Sequence, residues 1–244
     1  MKMIKALYKY IYAVITILIF WYVLHILLDS FVIPNPIDVI KEFFSSTNIL
    51  LTHVLASSYR LFIALTITII LGYTIGILIG VNKKVDKLIS PILYLFFPVP
   101  RIAFLPVFMI LFGLGDVSKI ILIIAIAIFQ IIITTRDAAK DIDKDLLLSA
   151  RSLKLSKTNM IKHIYIPATL PKLFTSVRIA LGSSMAALFF AENYATKKGI
   201  GYYIMNSWIN VDYEAMYSGI IAISILGIIL FKSIDLIQKK VCKW

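Results

Sequence analysis

The chain has 244 residues, of which 60% are hydrophobic and 16% charged, and its mean hydropathy is +0.92. That much apolar surface excludes a water-soluble domain, and the length holds roughly six crossings at about 20 residues each with little left for a separate catalytic domain. The net charge of +12 would suggest nucleic acid in a soluble protein, but in a membrane protein its placement decides its meaning.

The first apolar run, Ile11–Leu28, follows Lys2, Lys5 and Lys9. It is too long for a signal peptide and lacks a small-residue cleavage site, so it reads as a retained span. Further runs lie at residues 55–81, 88–112, 117–135, 169–191 and 215–231, each near the length that crosses hydrocarbon. The expected fold is therefore all-α and polytopic, with about six transmembrane helices. It divides into an N-terminal helix (1–32), an external amphipathic segment (33–54), a core (55–235) and a basic tail (236–244).

Positive residues are retained on the cytoplasmic side. With both termini inside, 19 of the 25 Lys and Arg fall in cytoplasmic segments. Only Lys41, Lys119, Lys197 and Lys198 face out, against seven acids. The excess charge is then topogenic and no nucleic-acid partner is needed. The expected location is the cytoplasmic membrane. Cys242 is the single cysteine, which excludes an internal disulfide framework and most simply reads as inert.

Residues 136–163 form the longest inside segment. Asp143 can cap a helix whose Leu146, Leu147, Ala150 and Leu153 make one apolar stripe, and Ser156 can cap a second carrying Met160, Ile161 and Ile164. Pro167 and Pro171 are expected to end it and open the next span. The result is a helix-turn-helix at the membrane face, between the fourth and fifth spans. For an arbitrary basic amphipathic segment, resting on headgroups would be the commoner use.

Here the residues resemble a known family. Leu148-Ser149-Ala150, three residues, Lys154, nine residues, Ile164, then Pro167 matches the spacing of the EAA loop of binding-protein-dependent ABC transporter permeases. Leu148, Ser149 and Lys154 stand where that motif has glutamate, its first alanine and glycine. If the turn needs a positive φ, lysine costs about 1 kcal/mol or more there. Pro34-Asn35-Pro36, Ser58-Tyr59-Arg60, the run 97–106, Phe112-Gly113-Leu114-Gly115, Ala191-Glu192 and Gly199-Ile200-Gly201 look like the nitrate/sulfonate/taurine-type permeases, over roughly residues 33–235.

The resemblance implies a second copy of the permease, two ATP-binding subunits that carry ATP and Mg, and an external solute-binding protein. It also implies a small solute, a sulfonate, taurine or nitrate, with thiamine-precursor pyrimidines as an alternative. The chain itself has no Gly-x-x-x-x-Gly-Lys-Ser/Thr phosphate loop, so the energy source is expected in a partner. The resemblance makes Leu148, Ser149, Ala150, Leu153, Lys154, Leu155, Ser156, Ile164 and Pro167 the candidate ATPase-coupling residues.

Polar groups within spans are costly and need a partner or a wet cavity. Arg60, near the end of its span, is expected to snorkel. Pro98, Pro100 and Pro106 interrupt the third span around Arg101, which could complement an anionic solute or pair with Glu192. With Gln130, which could instead bond a neighbouring helix, these are the pathway candidates. Gly72, Gly76 and Gly80 recur on one face, a helix-packing feature, and Tyr10, Trp21, Tyr202, Tyr203 and Trp208 read as interfacial anchors. The loop 192–213, with Lys197, Lys198, Gly199, Gly201 and Trp208, is either the dock for a binding protein or a shielding hairpin.

Two other classes compete. A membrane enzyme needs clustered metal ligands or acids, whereas His25, His53 and His163 are scattered. No metal site and no catalytic residue are expected. An ion-coupled secondary transporter would show an internal repeat and more helices, neither of which is visible.

Overall fold

The computed structural model describes residues 2–243; the side chains of residues 2–10, Tyr10 among them, and of Arg151 lie outside the description. Among the described residues there is no strand. Five helices are long and apolar enough to cross a membrane, or six if one bent pair counts as a single span. The expected all-α polytopic architecture is therefore what the sequence builds.

Helix α1 (Lys2–Leu28) stands apart: none of its apolar window is buried against the rest of the chain. It touches the bundle through Trp21, whose ring stacks 5.2 Å from that of Tyr217. A short helix α2 (Pro36–Ser45) follows, with Pro36 in its first turn and the Asn35 side chain accepting from Ile37 N, the preferred chemistry for a helix start. The next helix, α3, runs from Thr47 to Val81, 35 residues. It therefore begins eight residues before the expected span, inside the segment that sequence assigned to an external strip. Helix α4 (Lys83–Phe96) follows directly, then a 3₁₀ turn (Arg101–Phe104) and α5 (Leu105–Phe112).

Helix α6 (Asp116–Lys140) packs along α3, and the fit explains the glycine repeat. A Cβ on Gly76 would lie 2.7 Å from Thr135 Cβ, and one on Gly80 2.7 Å from Ala139 Cβ. Gly72 faces Ile131 in the same way, at 3.0 Å. Two sets of residues spaced by four thus interlock, and small residues let the backbones approach where lipid removes the hydrophobic drive. Ala127, Ile131, Leu173, Val177 and Ala180 extend this seam onto α9 (Ile166–Glu192). After α9 come a short helix α10 (Ile200–Ile209) and α11 (Tyr213–Val241). The segment read as a basic tail is helical through Val241.

The segment between α6 and α9 differs from the sequence expectation at both ends. Arg136 to Lys140 are the last turns of α6, not loop. Helix α7 (Lys144–Ser152) and a turn follow. The second helix, α8 (Lys157–Met160), passes through a π turn (Ile161–Tyr165) into α9 with no break. Pro167 and Pro171 therefore do not end it. Pro167 has no N–H to give the carbonyl of His163, and the wider turn, closed by Ile166 N on Ile161 O, lets the chain pass this position while staying helical.

The close seam yields a direct expectation. Gly76→Val should lower the stability of the purified protein by about 1–3 kcal/mol, because the added carbons meet the Ile132 carbonyl as well as Thr135. The check is a thermal unfolding midpoint in detergent; an unchanged midpoint would refute the interlock.

Candidate coupling segment, broken helix and buried charge cluster

Helix α7 begins as its sequence dictates. The Asp143 side chain accepts from Asp145 N at 2.8 Å, and Ser156 Oγ accepts from Asn159 N at 3.2 Å to start α8. Between them the chain reverses at Lys154, whose φ is +54°. Leu155 N donates to Ala150 O at 3.3 Å, the six-to-one bond of a Schellman turn. The position where the family motif has glycine is thus left-handed, and lysine occupies it against the steric preference of an L residue.

The two faces of α7 differ. Ala150 is buried, and Leu147 and Leu155 pack with Ile77, Ala139, Met160 and Tyr165 in one apolar cluster. Leu148 and Leu153 point away and are 57% and 78% exposed. Ser149, Lys154 and Ser156 are exposed as well, as is Leu146, while Ile164 is half-buried in the π turn and Pro167 is half-buried beyond it. Of the nine coupling candidates, then, Ala150 and Leu155 hold α7 to the bundle instead of facing outward, because the Schellman turn tucks its own hydrophobic pair inside.

The third span is broken. Helices α4 and α5 meet at an 82° bend. Pro100 has no N–H for the carbonyl of Phe96, four residues earlier. The Arg101 guanidinium takes over: Nη2 donates to Phe96 O at 2.9 Å and Phe97 O at 2.7 Å, and lies 4.5 Å over the Phe129 ring, within cation–π range. Arg101 does not pair with Glu192. Pro98, Pro100 and Arg101 together form the corner of a bent span, next to an aromatic cavity of about 260 Å³ lined by Phe96, Phe104, Phe108 and Phe129. Gln130 is half-buried and donates to Thr134 Oγ1 on its own helix, at 3.2 Å.

At the opposite end of the bundle from α7 lies a cluster that the sequence did not reveal. Arg60 does not snorkel. Only 3% exposed, it donates from Nη1 to Glu192 Oε1 at 2.5 Å and from Nε to Asp116 Oδ1 at 2.8 Å. Glu192 is fully buried, so it lines no pathway in this conformation. Ser57 Oγ donates to it at 2.8 Å, Gly201 N at 2.9 Å. Ser57 Oγ in turn accepts from Ile200 N at 2.9 Å, and His53 Nδ1 accepts from Gly199 N at 3.0 Å. Lys119, fully buried too, donates to the carbonyls of Leu114 and Gly115. Helices α3, α6, α9 and α10 are joined through this one set of bonds.

The loop candidates divide accordingly. Gly199 has φ +151°, and a Cβ there would strike the Glu192 carboxylate; one on Gly201 would lie 2.6 Å from Phe189 O. Both glycines are buried and are there for close approach. Lys197, Lys198 and Trp208 are exposed. Arg60 carried a legible signal, a charge inside an apolar run, and Glu192 sat at the end of one, but nothing in the spacing said that they meet across 132 residues.

Lys154→Gly should raise stability by about 1 kcal/mol, because glycine adopts the left-handed turn without a Cβ penalty. Lys154→Val should lower it. Paired unfolding midpoints decide, and a drop for the glycine variant would mean the lysine side chain holds the turn.

The chain matches the model of the binding-protein-dependent transport system inner membrane component family over residues 69–243. It is 31% identical over 216 residues to the putative aliphatic sulfonates transport permease protein SsuC of Bacillus subtilis (strain 168), covering 87% of this chain and 78% of that one. It is 29% identical over 192 residues to the taurine transport system permease protein TauC of Escherichia coli (strain K12), covering 79% and 70%. Its fold is similar to a chain of the inward-facing MetNI methionine ABC transporter, with a TM-score of 0.71, 19% identity and coverage of 81% and 98%. The chain therefore belongs to the binding-protein-dependent transport system inner membrane components and is the membrane-embedded permease of an ABC importer.

Proposed function

We propose that this permease carries a small organic anion of the sulfonate or taurine class into the cytoplasm. It does so as a homodimer with two ATPase subunits that bind ATP and Mg, and with an external binding protein that delivers the solute. Relatives named for aliphatic sulfonates and taurine support the substrate class. The charge bias supports α7 and both termini lying on the cytoplasmic side of the cell membrane, since that orientation retains 19 of 25 cations inside.

The observation that carries the coupling role is the exposed pair Leu148, on a helix whose other face is packed, and Leu153, in the turn just after it. Exposed leucines on and just after a short amphipathic helix suit a cleft on the ATPase, and Ser149, Lys154 and Ser156 rim the same surface. Ala150, Leu155, Ile164 and Pro167 then hold the lever to the bundle. Lys197, Lys198 and Trp208 form the exposed part of the candidate dock for the binding protein, with Gly199 and Gly201 shaping it from beneath. The corner at Pro98, Pro100 and Arg101 shapes the pathway wall, with Gln130 on the neighbouring helix α6.

Leu153→Asp tests the coupling. The residue is exposed, so the variant should insert and fold while solute uptake and solute-stimulated ATP hydrolysis by the reconstituted complex are lost. Unimpaired uptake would remove the coupling role. Uptake that survives without the ATPase but collapses with the ion gradient would instead select an ion-coupled transporter. Screening sulfonates, taurine, nitrate and pyrimidines against the binding protein identifies the solute.

A further inference from the structure

Between α7 and the junction of α3 with α4 is a cavity of about 450 Å³. Lys83, Lys140 and Lys144 line it, and the apolar part of its wall includes Val81, Ile142 and Leu147. The acid among its lining residues is Asp86, and that carboxylate is already engaged: Arg136 Nε donates to it at 2.6 Å, Lys140 Nζ at 2.7 Å and Ser90 Oγ at 2.6 Å. Lys83 and Lys144 are exposed and make no ion pair among the described residues. A second cavity of about 490 Å³ adjoins the first across Val81, Lys83 and Tyr165, and adds Lys157.

Tyr165 lines both cavities. The residue as a whole is only 6% exposed, and as a lining residue of both cavities it can present its hydroxyl to whatever occupies them. The position also matters. The apolar helix α3 ends at Val81 and α6 at Lys140, so the cavity sits where hydrocarbon gives way to headgroups. Cationic side chains over an apolar wall at that depth match the two halves of an acidic lipid.

We propose that this cavity seats the phosphate group of an anionic phospholipid, with Lys83 and Lys144 as the charge partners, Tyr165 as a neutral donor and the lipid's chains against Val81 and Leu147. The site depends on the membrane location of the chain, and it shares Leu148 with the proposed coupling surface. A lipid bound there would lie beneath the inner face of α7 and brace it against the ends of α3 and α6.

The test uses the full-length protein, purified in detergent and loaded with phosphatidylglycerol or phosphatidylcholine, with retained lipid counted by native mass spectrometry. Phosphatidylglycerol should be held in preference to phosphatidylcholine. The double variant Lys83→Gln, Lys144→Gln should weaken that retention roughly 25-fold, from about fivefold per lysine, and Tyr165→Phe should weaken it less. Equal retention of the two lipids, or a double variant that holds phosphatidylglycerol like the parent, would overturn the proposal. Displacement by soluble glycerol 3-phosphate would overturn the lipid source, since a free phosphate would then fit as well. An unchanged unfolding midpoint in phosphatidylcholine confirms that the variants are folded.

Discussion

A guanidinium buried in a helix bundle within a membrane must find an acid or backbone carbonyls there, and the pairing of Arg60 with Glu192 and Asp116 sets the geometry of one whole end of this molecule. Removing one member of a buried pair of this kind costs about 3–5 kcal/mol, because the survivor is left charged and unpaired. The remaining lone pairs of Glu192 are filled by Ser57 and by the amide of Gly201. That requirement explains why two glycines flank Ile200. Any side chain at either would intrude on the space that the carboxylate or the adjacent backbone occupies. The loop after α9 is consequently tied to α3 and α9, and α10 starts from a fixed point.

How much of this was legible depended on the range of the interaction. Local rules worked well: the Asp143 and Ser156 caps, the apolar runs, and the glycine repeat on α3 each involve residues within one or two turns, where period and chemistry suffice. Matching a motif raised the question of a positive φ at Lys154 without deciding it, and the turn has one. Long-range pairings could not be read. Arg60 and Arg101 look interchangeable as charges in apolar runs, yet it is Arg60 that meets Glu192, and it does not snorkel. Arg60 lies on the face of α3 that meets α6 and α9, whereas Arg101 follows Pro100 and is captured by the carbonyls that the prolines leave unbonded.

Proline was the other misleading signal. Sequence rules place a boundary at Pro167 and Pro171, and in isolation they would be right. Here a π turn absorbs the missing donor, and helix continues from Lys157 to Glu192. The same residue type at Pro98 and Pro100 does break its helix, through 82°. The two sites differ in what precedes the ring. A wider turn precedes Pro167, while two prolines spaced by a single residue leave the chain after Phe96 no comparable way to stay helical.

The continuous helix from Lys157 to Glu192 has a mechanical meaning. At 1.5 Å per residue it spans about 54 Å, longer than the hydrocarbon it crosses. One end leaves the turn at Lys154, beside the exposed Leu148 and Leu153. The other end is Glu192, the centre of the charge cluster. The turn at residues 153–156 joins α7 to this helix, which then runs to the cluster with no break, the π turn near its start included. There Arg60 and Glu192 tie this end of the helix to α3, and Arg60 with Asp116 ties it on to α6. On the proposed coupling role of α7, this helix is the element through which a movement of α7 would reach the far end of the bundle.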